Sequence, residues 1–246
     1  MKKYKIIHGD CIEEMKKLKD CSVDLIITDP PFNIGKKYGK DKDNKKLFEY
    51  YDWCYDWIDE CIRVLKQTGS LYIMNFPRHL AFLYVHLIKR GMIYKNWISW
   101  VRNDNSPYSK KTQFKSNLQD ILRFVKSKEF YFNWRAVSRE PIWKKDKRVK
   151  DKAGQFDTWN DITYVKGNSK EKVNHPCPWP IKLVERMLLS SSKEGDIILD
   201  PFGGSGTTMV ACIKNNRKCI LIEKEEEYIE LSKERIKPFL EQTTLV

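Results

Sequence analysis

The sequence predicts an α/β fold around a mostly parallel sheet, because short apolar runs alternate with helix-length amphipathic stretches over most of the chain. In chain order the expected strands are residues 5–8, 23–28, 70–75, 97–102, 119–126, 196–199 and 218–223. The stretches between them that have helical length are 11–18, 48–66, 78–89, 180–192, 205–215 and 225–239. The plainest helix is 48–66: Tyr50, Trp53, Trp57, Ile58, Cys61 and Leu65 recur at three- and four-residue spacing, and Thr68-Gly69 is expected to end it. That stripe reads as core. With 246 residues, 41% of them hydrophobic, the chain suffices for one large domain or two small ones and is no disordered tail.

Lys and Arg number 46 against 33 Asp and Glu, a formal net charge of +13, and eight Trp are scattered through that positive charge. A polyanion is therefore the first partner to consider. The cysteines at 11, 21, 54, 61, 177, 212 and 219 form no C-x-x-C pair and no Cys/His cluster at zinc spacing. No metal is expected, and the thiols should be reduced and mostly buried. The N-terminal segment lacks an apolar signal core and the longest apolar runs are too short to cross a bilayer, which predicts a cytoplasmic protein with no membrane partner.

Two stretches break the α/β rhythm. Residues 35–46 are rich in Lys, Asp and Gly and follow a strand; their charge predicts a mobile loop. From about 127 to 174 the chain turns polar and interleaves aromatic residues with a basic run at 144–152, which reads as an insertion in the core.

The most informative segment is 196–208, DIILDPFGGSGTT: an apolar strand ending in Asp200, a turn of Pro201, Phe202, Gly203, Gly204, Ser205 and Gly206, then a helix entered through Thr207 and Thr208. Such a turn presents backbone N–H groups and a carboxylate to a ligand at the carboxyl edge of a sheet. It lacks the Lys of a Walker loop and the spacing of G-x-G-x-x-G, which excludes nucleotide hydrolysis and hydride transfer. The next strand ends in Glu223, 20 positions after Gly203, where two acceptor oxygens would grip a ribose diol. A packing turn with a solvated Glu is the plainer alternative.

A second segment, VDLIITDPPF (23–32), ends its strand in Asp29, Pro30, Pro31 and Phe32. Two prolines stop the hydrogen-bond ladder and free the preceding carbonyls. The Asp29 carboxylate and the Pro30 carbonyl can each accept a hydrogen from one exocyclic amine, with the Phe32 ring stacked on a flat heterocycle. Taken alone, the segment reads equally well as a proline-terminated strand with a capping Asp.

DPPF followed by DPFGGSGTT resembles the amino-methylating DNA methyltransferases that use S-adenosylmethionine, in the β arrangement where the catalytic motif precedes the cofactor motif. His8-Gly-Asp10-Cys11 and the helix after it are similar to the family segment whose Asp, here Asp10, binds the cofactor adenine amine. Residues 65–73 and 97–102 resemble the step after the catalytic strand and the strand that lines the target-base pocket. Where family members often read H-P-x-Q-K-P, this chain has HPCPWP at 175–180, so contacts by a Gln and a Lys there do not carry over.

The resemblance implies a Rossmann-like sheet of seven strands, six parallel and one antiparallel. It divides the single domain into a catalytic half (1–126), a target-recognition insertion (127–174) and a cofactor half (175–246). The implied reaction is methylation of the N6 amine of a flipped adenine in double-stranded DNA. Asp at the first position of DPPF favours adenine over N4-cytosine, whose enzymes more often carry Ser there. An RNA methyltransferase or an inactive DNA-binding module are the rival readings. The insertion would offer Lys144, Lys145, Lys147, Arg148 and Lys150 to phosphates. Cys11, beside Asp10, and Asp29 are expected at the cofactor as well. Pro176-Cys177 resembles the nucleophile of carbon-5 cytosine methyltransferases, but it precedes the cofactor strand and lacks the companion Glu-Asn-Val segment. A homodimer and a cognate restriction endonuclease are the further partners that the family implies.

Overall fold

The structure, a computed structural model, describes residues 3–38, 41–102, 112, 114–140, 152–165, 169, 171, 173 and 178–243. Its elements run β1 (Tyr4–His8), α1 (Cys11–Lys16), β2 (Val23–Thr28), β3 (Lys37–Tyr38), β4 (Asp41–Lys42), α2 (Leu47–Val64), β5 (Leu65–Asn75) and α3 (Pro77–Lys89). They continue with β6 (Ile93–Val101), β7 (Leu118–Val125), a 3-10 turn (Trp134–Val137), β8 (Thr158–Trp159), α4 (Ile181–Ser191), β9 (Ile197–Asp200), α5 (Thr207–Lys214), β10 (Lys218–Glu223) and α6 (Glu226–Thr243).

The main sheet has eight strands in the order β1-β10-β9-β2-β5-β7-β6-β8. Seven strands were expected; β1, β10, β9, β2, β5 and β6 run parallel and β7 runs against them, and the eighth, β8, is a two-residue edge contributed by the insertion. A strand of two residues carries too little apolar pattern to be seen in sequence.

Strand residues alternate between two cores, as the period of two requires. Leu25, Ile27, Tyr72 and Met74 face a layer with Val184 and Met187 of α4, Val210 of α5 and Ile236 of α6. Ile26, Leu71 and Ile73 face the opposite layer with Trp57, Ile58 and Cys61 of α2 and Leu80, Leu83 and Leu87 of α3. Each of these side chains is fully or nearly fully buried, and deleting one such Leu or Ile would cost about 2–5 kcal/mol. Of the cysteines, Cys11, Cys54, Cys61, Cys212 and Cys219 are buried and Cys21 is exposed; Cys177 lies outside the described residues.

Two boundaries differ from expectation for one reason. α2 ends at Val64 rather than near Thr68-Gly69, because Leu65 turns extended (φ −70, ψ 133) to pair with Val23 of β2. The register then shifts before Leu25 meets Ser70, so Thr68-Gly69 sits inside β5 as an irregularity in the ladder. Strand pairing overrides the glycine stop. β6 likewise starts at Ile93, four residues early, because it pairs with β7 along its length, and α6 runs through Pro238 to Thr243.

Within the loop expected after β2, the described residues 33–38 and 41–45 carry a short antiparallel pair. β3 pairs antiparallel with β4, the Gly35 N–H donates to the Asp43 carbonyl (2.9 Å) and the Asn33 side-chain amide donates to the Lys45 carbonyl (2.9 Å). Its backbone is satisfied internally, and the Asp43 carboxylate turns back to accept from the Ile34 N–H (3.3 Å). Part of the insertion also joins the core: Trp159 and Ile162 are buried, and the Trp100 indole N–H donates to the Ile162 carbonyl (2.8 Å). Among the described residues, no helix is long and apolar enough to cross a membrane.

Candidate active site

From β2 the chain winds outward to β5, and from β9 it winds the other way to β10, with β1 at the edge beyond, so the crevice at the carboxyl ends of β2 and β9 is the topological switch point of the sheet. Four neighbouring parallel strands end there in an acid. Asp10 follows β1, Glu223 closes β10, Asp200 closes β9 and Asp29 follows β2. All four line one cavity of about 550 Å3.

The glycine turn closes one side. The Gly203 N–H donates to the Ile222 carbonyl (2.8 Å), and a Cβ at Gly203 would lie 2.0 Å from a Leu221 methyl, so glycine here makes room for the Leu221 side chain of β10. Gly206 holds the left-handed conformation (φ 76) that starts α5. The Asp200 carboxylate accepts from the Thr208 hydroxyl (2.6 Å) and the Phe202 N–H (3.1 Å), and the Glu223 carboxylate accepts three backbone N–H groups, from Gly204 (2.7 Å), Lys224 (2.8 Å) and Glu225 (2.8 Å). Phe202 is wedged edge-on between Trp53 (5.6 Å) and Trp57 (5.4 Å) of α2. The α2 stripe read as core therefore does two jobs: Trp57, Ile58 and Cys61 are core, whereas Tyr50 and Trp53 also line the cavity.

The DPPF segment closes the other side. Asp29 Oδ1 is buried without a hydrogen-bond partner, and so is the Thr28 hydroxyl before it. Burial, with Asp200 adding repulsion, holds the Asp29 carboxyl well above the usual carboxylate range, against the opposing pull of Lys36 and the Trp179 side chain. Burial likewise pushes Asp200 up to about 7 and raises Glu223. A cavity whose acids resist ionisation in this way favours a cationic ligand. The Pro31 carbonyl accepts from the Tyr50 hydroxyl (2.7 Å), which accepts in turn from the Asn75 amide (2.9 Å) at the end of β5. Phe32 packs edge-on against Phe76 (5.0 Å).

Of the residues singled out in sequence, Asp10, Cys11, Asp29, Pro31, Asp200, Pro201, Phe202, Gly203, Gly204, Ser205, Thr207, Thr208 and Glu223 line the cavity; Pro30, Phe32 and Gly206 do not. Asp10 Oδ1 also caps α1 by accepting from the Ile12 N–H (3.0 Å) and the Glu13 N–H (3.3 Å). Cys11 is buried, and burial raises its thiol. Lys144, Lys145, Lys147, Arg148 and Lys150, and Pro176-Cys177 with His175, lie outside the described residues.

Residues 23–234 match the profile of the DNA methylase family of N6 and N4 methyltransferases. The chain belongs to that family. It is 37% identical over 234 residues to the Type II methyltransferase M.HpaI of Haemophilus parainfluenzae, covering 94% of this chain and 74% of that protein. It is also 37% identical over 243 residues to the DNA adenine methyltransferase YhdJ of Escherichia coli (strain K12), covering 94% of this chain and 82% of that one. The solved M1.HpyAVI–SAM complex shares the fold with a TM-score of 0.68 at 27% identity, over 94% of this chain and 99% of that one. The family expected from DPPF and DPFGGSGTT is the family found.

Sequence reasoning about this methylase missed three parts of the cavity. Trp179 acts on Asp29 and sits in HPCPWP, where the departure from the family pattern drew attention to a lost Gln and Lys instead. Tyr50 was hidden in a helical stripe. Asn33, Lys42, Asp43, Asn44 and Lys45 come from the loop that carries β3 and β4; its position after the DPPF strand was the available signal, since loops at that sheet edge carry function.

Proposed function

We propose that the protein transfers a methyl group from S-adenosylmethionine to the N6 amine of a flipped adenine in double-stranded DNA. The observation that carries this reading is Asp29 at the end of β2, whose buried Oδ1 has no partner, lining the same cavity as the glycine turn after β9. The donor set fits the cofactor: four carboxylates at neighbouring strand ends suit a sulfonium. S-adenosylmethionine, when bound, supplies an electrophilic methyl on that sulfonium.

The protein's own residues do the rest. Asp10 and Glu223, at adjacent strand ends, hold the adenosine part. Glu223 already accepts three N–H groups of the roughly four hydrogen bonds a carboxylate can take, so it has capacity for about one ribose hydroxyl rather than a whole diol. Asp29 takes an N–H group of the target amine, which localises the lone pair on nitrogen; the Pro30 carbonyl, expected to take the second, stands outside the cavity lining. Positioning contributes more than acid–base work. An adenine inside a duplex cannot reach this crevice, so the base must leave the stack. The basic run from Lys144 to Lys150 neutralises phosphates.

Nucleoside mass spectrometry of DNA and RNA incubated with the protein and S-adenosylmethionine tests the reading. N6-methyladenine in DNA is the expected product. N4-methylcytosine would move the target to the family's other base, and modified RNA alone would overturn the DNA substrate.

A further inference from the structure

α6 lies behind the glycine turn and holds it with two side chains that do not themselves reach the cavity. The Ser232 hydroxyl donates to the Gly204 carbonyl (2.8 Å). From one amino group, Arg235 donates to the Ser205 carbonyl (3.1 Å), the Ser205 hydroxyl oxygen (2.9 Å) and the Thr207 hydroxyl oxygen (2.8 Å). Ser205 and Thr207 are buried and line the cavity. The guanidinium is thus one atom layer removed from the ligand space.

This arrangement fixes what the two hydroxyls can do. An oxygen that accepts from a cation has its own proton left to give, and the cation makes that proton a stronger donor. The Thr207 proton points to the Trp179 carbonyl over a long 3.5 Å, and among the described residues no acceptor is in range of the Ser205 hydroxyl. The first N–H groups of α5 open at the same place and add positive potential. Partial burial lowers the Arg235 pKa without approaching neutrality, and Glu171, which also accepts from the Ile181 N–H (2.9 Å), is the carboxylate that acts on it. The cavity is therefore acidic along Asp10, Glu223, Asp200 and Asp29 and positive at Ser205 and Thr207.

We propose that Arg235 is a positioning residue: through Ser205 and Thr207 it makes this end of the cavity select a carboxylate, the one on the amino-acid arm of the methyl donor. The proposal rests on the cofactor reading above. It separates a charge effect on one end of the ligand from simple support of the turn, which would affect every adenosine ligand alike.

Calorimetry with two probes makes that separation. S-adenosylhomocysteine carries the amino-acid arm; 5′-methylthioadenosine keeps the adenosine and sulfur and lacks the arm. Arg235→Met should weaken S-adenosylhomocysteine at least tenfold and leave 5′-methylthioadenosine within twofold. Arg235→Lys should restore the ratio of the two affinities to within about threefold of the starting protein, because the charge returns. Ser205→Ala should lose the same selectivity, and adding Arg235→Met to it should cost little more. If Arg235→Met does not fold, Arg235→Gln keeps a donor and removes the charge, and its affinity ratio decides. Equal weakening of both probes, or of neither, overturns the proposal. Failure of the unmodified protein to bind either probe overturns the cofactor reading on which it rests.

Discussion

The two motifs of the cavity stand at neighbouring strand ends and are finished to different degrees by the protein itself. In the glycine turn nearly every polar group is already used: Asp200 holds Thr208 and the Phe202 N–H, Glu223 holds three N–H groups, and α6 takes the Gly204 and Ser205 carbonyls. In the DPPF segment Thr28 Oγ1 and Asp29 Oδ1 are buried with no partner, and Asn33 Oδ1 just beyond is in the same condition. A buried unsatisfied acceptor costs about 1–3 kcal/mol, so such a cluster is expected where a ligand completes the structure. On the function proposed above, this contrast is that between a cofactor seat built in advance and a target seat that the substrate finishes.

Removing the unfinished side's carboxylate gives the largest effect. Asp29→Ala should lower the rate of methyl transfer at least about a hundredfold, the scale of losing a preorganised polar contact to a reacting group. S-adenosylmethionine affinity should stay within a few-fold, and duplex binding should survive on its phosphate contacts. Single-turnover kinetics with tritiated cofactor measures the first and calorimetry the second. Near-normal transfer would reduce DPPF to a strand terminator and erase the contrast.

The finished side answers to Glu223. Glu223→Ala removes an acceptor for ribose and also frees the N–H groups of Gly204, Lys224 and Glu225, so S-adenosylmethionine should bind roughly tenfold to a hundredfold more weakly, about 1.5–3 kcal/mol. Glu223→Gln keeps one acceptor oxygen and should fall between the two. Unchanged affinity in calorimetry for both variants would take Glu223 out of the site.

How much of this was legible follows from how locally each feature is encoded. Asp200 and the glycines could be read because a strand, a tight turn and a helix start lie within a dozen consecutive residues, and Glu223 because it ends the next apolar strand. Asp29 was legible for the same reason, two prolines having no place in a central strand. Trp179 was not, since its contact with Asp29 spans 150 positions of sequence and depends on where α4 docks. Arg235 was hidden in a helix whose charges look like a solvated face; only the packing of α6 on the glycine turn turns Ser232 and Arg235 inward. The end of α2 was misplaced because Val23, forty positions away, decides where Leu65 becomes a strand. Local chemistry is written in the sequence, and long-range pairing edits it.

Packing of the finished side should be less tolerant than its chemistry implies. Gly203→Ala would place a Cβ 2.0 Å from Leu221 Cδ2 and 2.2 Å from Leu221 Cγ, and Leu221 is fully buried between α5 and the sheet. The expected cost is about 1–3 kcal/mol of folding stability, as for other overpacked cores, together with loss of cofactor affinity. Denaturant unfolding measures it, and an unchanged midpoint would mean that the turn can open without harm.

The smallest effect is a slope with pH, and it tests whether Asp200 belongs to the finished side electrostatically as well as by hydrogen bonds. Its pKa rises from the ordinary 3.8 to about 7, chiefly by burial. A carboxyl with a raised folded-state pKa binds its proton more tightly in the folded protein. The stability it contributes is therefore fully present below the ordinary value and is lost as the pH rises through about 7. Between pH 6 and 7 that loss is about 1 kcal/mol, since over that interval the folded protein holds on average roughly three-quarters of a proton more than the unfolded chain. Asp200→Asn has its own cost, but that cost does not depend on pH. The difference in unfolding free energy between the two proteins should therefore shrink from pH 6 to pH 7, in denaturant titrations at constant ionic strength. A difference that stays flat or grows over that interval would show that Asp200 is ionised throughout, held so by Thr208 and the Phe202 N–H, and that the acidic strand ends carry their full negative charge before any ligand arrives.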